Sequence, residues 1–188
     1  MDKVSWKPGT VLAPLPVVLI GSGEGTPLEP YNVMTAAWCG IVNSEPPMLS
    51  VSIRPERYSY RTIVERGEFT VNVPTAKIVS AVDSCGVVSG KTIDKFSRFG
   101  LTALPGEKIS APAVKECPIN LECKTSQIIK LGSHDLFIAE IVALRVSREY
   151  IDAGGKFDFS EAGILGYANG AYYVLGEKLG TFGFSVNK

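Results

Sequence analysis

The chain has a single histidine, His134, and only four cysteines, Cys39, Cys85, Cys117 and Cys123, with no C-x-x-C pair among its 188 residues. A structural zinc site needs four soft or imidazole ligands at close spacing, and this set does not offer one, so no metal is expected. Reduced thiols are the simplest account, which points to a cytoplasmic setting. An excess of either charge is also missing, since 19 Lys and Arg balance 19 Asp and Glu. That balance leaves no electrostatic footprint for nucleic acid or an anionic membrane. No apolar run approaches the ~20 residues that a membrane helix requires. The uncharged stretch VLAPLPVVLI follows Lys3 and Lys7 much as a secretory signal would. Pro14 and Pro16 spoil a helical core there, and Asp2 weakens the positive start. An edge strand that admits proline fits better, and the sequence predicts a soluble protein.

Two nucleotide-binding motifs are approached and not completed. VVLIGSGEG runs an apolar segment into Gly21, Gly23 and Gly25, but the third fingerprint glycine is replaced by Thr26, and Pro27 and Pro30 follow. A dinucleotide fingerprint must open a helix, and these prolines forbid one. A turn between strands is predicted instead. CGVVSGKT ends like a phosphate-cradling loop, yet Cys85 stands where its first glycine belongs and Gly86 comes one place late. No Ser/His/Asp order or paired acid set emerges to suggest acyl, phosphoryl or glycosyl transfer.

What the chain does have is apolar content, 45% of residues against 20% charged. That surplus leads to an expectation of a subunit interface. Length and the absence of internal repeats suit a single domain over 1–188. Period-2 patterns dominate. Ile119, Leu121, Cys123, Thr125, Ile129 and Leu131 share one face of a predicted strand, while Asn120, Glu122, Lys124 and Lys130 share the other. LGSH turns the chain and DLFIAEIVALRV returns, apolar on both faces, to complete a hairpin. NVMTAAWCGIV, PMLSVSIR and GEFTVNVP are further strands. Helices are fewer: RYSYRTIVERG places Tyr60, Ile63 and Val64 on one side and stops at Gly67, and AKIVSAVDSCG is read the same way, stopping at Gly86. Many strands, few short helices and no β-α rhythm predict an all-β antiparallel barrel.

The segments NVMTAAWCG, PPMLSVSIRPERYSYRTI, GEFTVNVP and SGKTIDKF, in that order and spacing, resemble the flavin reductase-like family of FMN-binding split barrels, in particular its flavoredoxin branch. The likeness runs from Pro16 through GSHDLFIAEI to the tail YYVLGEKLGTFGFS. It implies a six-stranded antiparallel Greek-key split barrel that forms a homodimer and binds FMN near the subunit interface. Carried onto this chain, the resemblance puts Asn32 to Cys39 against the isoalloxazine ring. Backbone groups of Thr35, Ala36 and Ala37 would bond the ring's polar rim, with Trp38 and Cys39 beside it. Ser52, Arg54, Arg57 and Ser59, just ahead of a helix, would converge on the phosphate through guanidinium forks, hydroxyls and helix-start N–H groups. A solvated turn with its arginines paired to Glu56 and Glu65 is the plainer alternative for that stretch.

Lys91 and Lys95 match the family's Gly-(Arg or Lys)-x-x-Asp-Lys-Phe signature, which implies cations beside flavin N1 and the C2 carbonyl. His134 sits where related reductases carry Gly-x-His near the nicotinamide pocket, and its ordinary pKa near ~6.5 suits a proton step. Tyr172 and Tyr173 are read as packing over the ring, the partner subunit or the core. The resemblance implies hydride transfer from NAD(P)H to FMN, with onward passage to free flavin, a metal complex or a protein. The rival reading is an FMN electron carrier that exchanges electrons with ferredoxin-like partners and ignores NAD(P)H.

Overall fold

The alternating segments become strands, and their connections decide the shape. The computed structural model describes residues 1–158 and 160–186. It opens with β1 (Leu15–Pro16), β2 (Val18–Ser22), β3 (Asn32–Ala36), β4 (Cys39–Ser44) and β5 (Pro47–Ile53). Helix α1 (Tyr58–Arg66), β6 (Glu68–Val73), α2 (Val79–Val87) and the single turn α3 (Lys95–Arg98) follow. Then come β7 (Ala103–Leu104), β8 (Ala113–Val114), the long hairpin β9 (Ile119–Lys130) and β10 (Asp135–Val146), and the short hairpin β11 (Leu165–Ala168) and β12 (Ala171–Val174).

Seven strands, rather than six, pair antiparallel in the order β3-β2-β6-β9-β10-β5-β4. The seventh arises because NVMTAAWCGIV is two strands, β3 and β4, which lie at opposite edges of the sheet. Only Ala37 and Trp38 join them. Three peptide steps span at most about 11 Å, so the sheet must curl until its edges meet. The Ser52 N–H seals that seam by donating to the Trp38 carbonyl at 2.9 Å. β1 lies at the edge of the separate three-stranded sheet β1-β11-β12, as its prolines require.

The curl creates two apolar layers. Val18, Ile20, Met34, Val51, Phe69 and Phe137 fill the barrel interior. Val17, Leu19 and Val33, pointing the other way, are covered by Val82 and Cys85 of α2, by Phe96 and by Leu165. β2 is therefore buried at all five positions. Gly21 is fixed by packing: a methyl there would overlap the Pro112 carbonyl oxygen and Thr70 Oγ1. Gly23 and Gly25 take positive φ, 99° and 75°, as the predicted turn needs.

Several local expectations change in the folded chain. The parity of β9 flips at Ser126, where Ile138 opposes Gln127 but Ala139 opposes Thr125. This bulge sends Ile128 to the core in place of Ile129, and leaves Leu131 exposed. Asn120 and Glu122, on the polar face of the alternating strand, are buried. A second layer covers them, and Glu122 accepts the N–H groups of Glu107 and Lys108, both at 2.7 Å. On α1 the buried pair is Ser59 and Ile63, while Val64 faces out. α1 does end at Gly67, whose φ is 67° and whose N–H returns to Ile63. α2 runs past Gly86 to Val87. Among the described residues no helix is long and apolar enough to cross a membrane.

Candidate functional site

The seam between the sheet edges opens into a cleft of about 510 Å³. Met34, Thr35, Ala36, Ala37 and Trp38 form one wall, Ser52, Ile53, Arg54 and Arg57 the floor beside it, and Asp83, Gly86 and Val87 of α2 the facing wall; His134, Tyr167 and Tyr172 close its rim. Small residues set its width. Thr35 Oγ1 donates to the Val82 carbonyl, and a Cβ on Gly86 would already stand 3.3 Å from Thr35 Cβ. α2 thus lies tight on β3, and the half-buried Ala36 and Ala37 present only small side chains to the cleft.

Aromatic and polar side chains rim this cleft. The Trp38 and His134 rings lie 4.6 Å apart at 35°, and Ser133 Oγ is 3.0 Å from His134 Nδ1. Burial, with Arg54 nearby, holds His134 below its ordinary pKa. At neutral pH that shift favours the uncharged imidazole. Asp135, buried beside it, accepts the Tyr60 hydroxyl at 2.5 Å. That bond ties the His134 turn to α1. Opposite, Tyr172 donates to Asp83 at 3.1 Å, and burial followed by this carboxylate pushes its phenol up to about 12.

A second cavity of about 470 Å³ adjoins the first, sharing Met34, Arg54, Arg57 and Val87. It adds Asn32, Glu56, Tyr58, Ser59, Lys95 and the segment 88–90. Asn32 Nδ2 donates to Ser59 Oγ at 2.7 Å. Arg57 Nη1 donates to the Gly86 carbonyl at 2.9 Å and Lys95 Nζ to the Cys85 carbonyl at 2.8 Å. The open carbonyls at the C-terminus of α2 thus position two cations, as helix ends favour. Lys95 is only 3% exposed and has no carboxylate within 4.0 Å among the described residues. Its pKa is lowered, first by burial and then by Arg57, although Cys85 opposes this. A buried ammonium with one carbonyl partner and no carboxylate beside it is costly to hold, and a nearby anion would offset that cost. Arg54 pairs with Glu56 at 3.3 Å on the surface, so the solvated-turn alternative describes part of this stretch.

The fold brings together most of the residues singled out from sequence. Thr35, Ala36, Ala37, Trp38, Ser52, Arg54, Arg57 and His134 line the first cavity, and Asn32, Ser59 and Lys95 the second. Cys39 lines neither; its strand parity turns it toward the barrel core, and burial pushes its thiol up to about 11. Lys91 also lines neither, and borders a third cavity instead. Tyr172 reaches the cleft, whereas Tyr173 is exposed. Asp83, Gly86 and Val87 were not singled out. Their i, i+3, i+4 spacing is a helical-face signal, but one acid, one glycine and one valine carry no chemistry that separates this face from ordinary surface. Among the described residues no cluster of His, Cys, Asp and Glu is built to hold a metal.

The candidate site is thus a slot of small residues in a curled antiparallel barrel, joined to a pocket lined by Arg54, Arg57, Lys95 and Glu56. The chain matches the model of the flavin reductase like domain over residues 11–176, and it belongs to that family. It is similar to flavoredoxin of Desulfovibrio vulgaris (Miyazaki F), with 36% identity, a TM-score of 0.91 and 100% of both chains covered. Flavoredoxin from Methanosarcina acetivorans aligns at 31% identity and a TM-score of 0.87, again over 100% of both chains. A protein from Shewanella frigidimarina with a split barrel domain shares the fold, with a TM-score of 0.80 at 23% identity over 89% of this chain and 85% of its own. The architecture is the split barrel.

Proposed function

We propose that the protein is a flavin-dependent oxidoreductase that binds FMN along the two joined cavities and takes hydride from NAD(P)H. The observation that carries this reading is the uncompensated Lys95 ammonium at the end of a slot walled by small residues. The residues fit the cofactor: Arg54, Arg57 and Lys95, with the Ser59 hydroxyl, match a phosphate dianion, and the half-buried, small-residue edge Thr35 to Ala37 that lines the cleft matches the polar rim of a tricyclic ring. When bound, FMN supplies the two-electron chemistry, which is the cofactor's own. The chain supplies placement. Arg57 and Lys95 are preset by α2 carbonyls, so little side-chain ordering remains to be done on binding. Trp38 and His134 wall the open side of the slot, where a nicotinamide donor would approach. His134, favoured in its uncharged form, orients that donor by hydrogen bonding.

The reading includes a cytoplasmic homodimer. Ile41 on the edge strand β4 and Leu179, Phe182 and Phe184 of the C-terminal segment are exposed apolar groups that a second copy would cover. The test of function is anaerobic mixing of the FMN-loaded protein with NADH and with NADPH while flavin absorbance near ~450 nm is followed. Rapid bleaching with either supports the reductase. A second reading, an FMN electron carrier serving ferredoxin-like partners, is favoured by the likeness to the two flavoredoxins. No bleaching by either nucleotide, with rapid reduction by ferredoxin, would establish the carrier in its place.

A further inference from the structure

We propose that the hydrogen bond between Tyr60 and Asp135 positions the donor side of the site: it fixes the turn that carries His134, keeps that ring against Trp38, and so sets the affinity for the nicotinamide donor. This rests on the reading of the cleft as a flavin site reduced by NAD(P)H. Neither Tyr60 nor Asp135 lines the two cavities of the site, so both act through His134. The turn itself is lightly held. Leu131, Gly132 and Ser133 are exposed, Gly132 has a φ of 99°, and the turn is closed by one backbone bond, from the Leu131 N–H to the His134 carbonyl at 3.1 Å. Exposed segments with so few contacts open at little cost, and the ring moves with them unless the end beside the cleft is anchored.

The anchor is Asp135. It is 4% exposed, its carboxyl group accepts the Tyr60 hydroxyl at 2.5 Å, and among the described residues no cation lies within 4.0 Å of it. A bond of this length belongs to the strong, charge-assisted class. A buried acid with one side-chain partner is tied to that partner, because leaving it unpaired is costly. Tyr60 is held in turn by α1 and by Phe137, whose ring it meets edge-on at 5.7 Å and 81°. Its neighbour Ser59 lies in the cationic pocket, where it accepts from Asn32 at 2.7 Å. The first turn of α1 thus reaches the proposed phosphate pocket through Ser59 and the donor wall through Tyr60. Across the strands Asp135 pairs with Ile53, which lines the cleft. What the bond controls is the contact of the Trp38 and His134 rings, 4.6 Å apart.

The experiment compares wild type, Tyr60→Phe and the double variant Tyr60→Phe with Asp135→Leu, each loaded with FMN. Replacing both partners by apolar groups of similar shape leaves no unpaired acid, so the double variant is expected to keep the wild-type Tm. Both variants raise KM for the nicotinamide donor roughly three- to tenfold. Both keep kcat and the Kd of FMN within about twofold, as loss of a donor-binding contact requires. A second arm reads the ring contact without turnover. Trp6→Phe leaves Trp38 as the sole tryptophan, and its emission before FMN is added is followed through the histidine range. A protonated imidazole against an indole quenches it, so wild-type emission falls as pH is lowered; Arg54, Glu56 and Arg57 are the other charged groups that face His134. The double variant loses most of that fall. An unchanged KM in the double variant, a KM that rises only where Tm drops, or an undiminished quench assigns the bond to folding and overturns the proposal. If neither nucleotide reduces wild type, the reductase reading fails and this role with it.

Discussion

Replacing Lys95 by methionine separates binding from folding. The ammonium is 3% exposed, donates one hydrogen bond of 2.8 Å to the Cys85 carbonyl and has no carboxylate within 4.0 Å among the described residues. Methionine fills a similar volume without charge. The variant loses a hydrogen bond from a charged group, about 1.5–3 kcal/mol, and is relieved of a desolvation penalty of about several kcal/mol. The free protein is therefore expected to keep its Tm or gain a few degrees. FMN binding loses one charge-assisted contact, so Kd rises roughly tenfold to 150-fold. At an FMN concentration 100 times the wild-type Kd, the ligand stabilises wild type by about 2.7 kcal/mol and the variant by only about 1.4 to 0.3 kcal/mol. For a chain of this length that difference is about 3–10 °C of the ligand-induced shift in Tm. Calorimetry with and without FMN reads both quantities. A variant that melts well below wild type without ligand, yet keeps the full FMN-induced shift, would show that Lys95 is a structural cation and refute the reasoning.

Three further outcomes follow from the same contacts. Gly21→Ala forces a methyl onto the Pro112 carbonyl and Thr70 Oγ1, and should cost about 1–3 kcal/mol in urea unfolding; an unchanged midpoint would mean that the β2 and 110–112 backbones are not in contact. FMN affinity should fall as pH rises from neutrality toward the ordinary lysine value of 10.5. A bound phosphate favours charged Lys95, so the contact is complete below the free protein's lowered pKa and is lost above it; a Kd flat across this range would contradict the assignment. His134→Ala should slow reduction by NAD(P)H by less than about tenfold, since an uncharged side chain gives up orientation and no proton. Complete loss of reduction in stopped-flow, with FMN still bound, would show that the imidazole takes part in the chemistry.

Features with short-range causes could be read along the chain. Gly23 and Gly25 with Pro27 and Pro30 specify a turn because backbone dihedrals are chosen residue by residue, and no neighbour in space is needed to choose them. Gly67 stopped α1 for the same reason. The strands of the long hairpin were legible from alternation, which is also local. The site segments were legible as a set because four short motifs keep their order, although none would be specific alone.

The rest depended on what lies across the fold. One extra residue at Ser126 inverts the side-chain faces of half of β9, and nothing in Thr125-Ser126-Gln127 announces it. Glu122 and Lys124 look alike in an alternating strand, yet only Glu122 meets a covering loop with free N–H groups. Lys91 and Lys95 stand four residues apart in one motif; α3 and the end of α2 bury the second and leave the first in solvent. By itself the sequence determined an all-β barrel, its turns and the stretches that line the candidate site, because propensity and period act within a few residues. Tertiary structure alone decided which lysine becomes a buried, uncompensated charge, since desolvation is set by atoms from other parts of the chain.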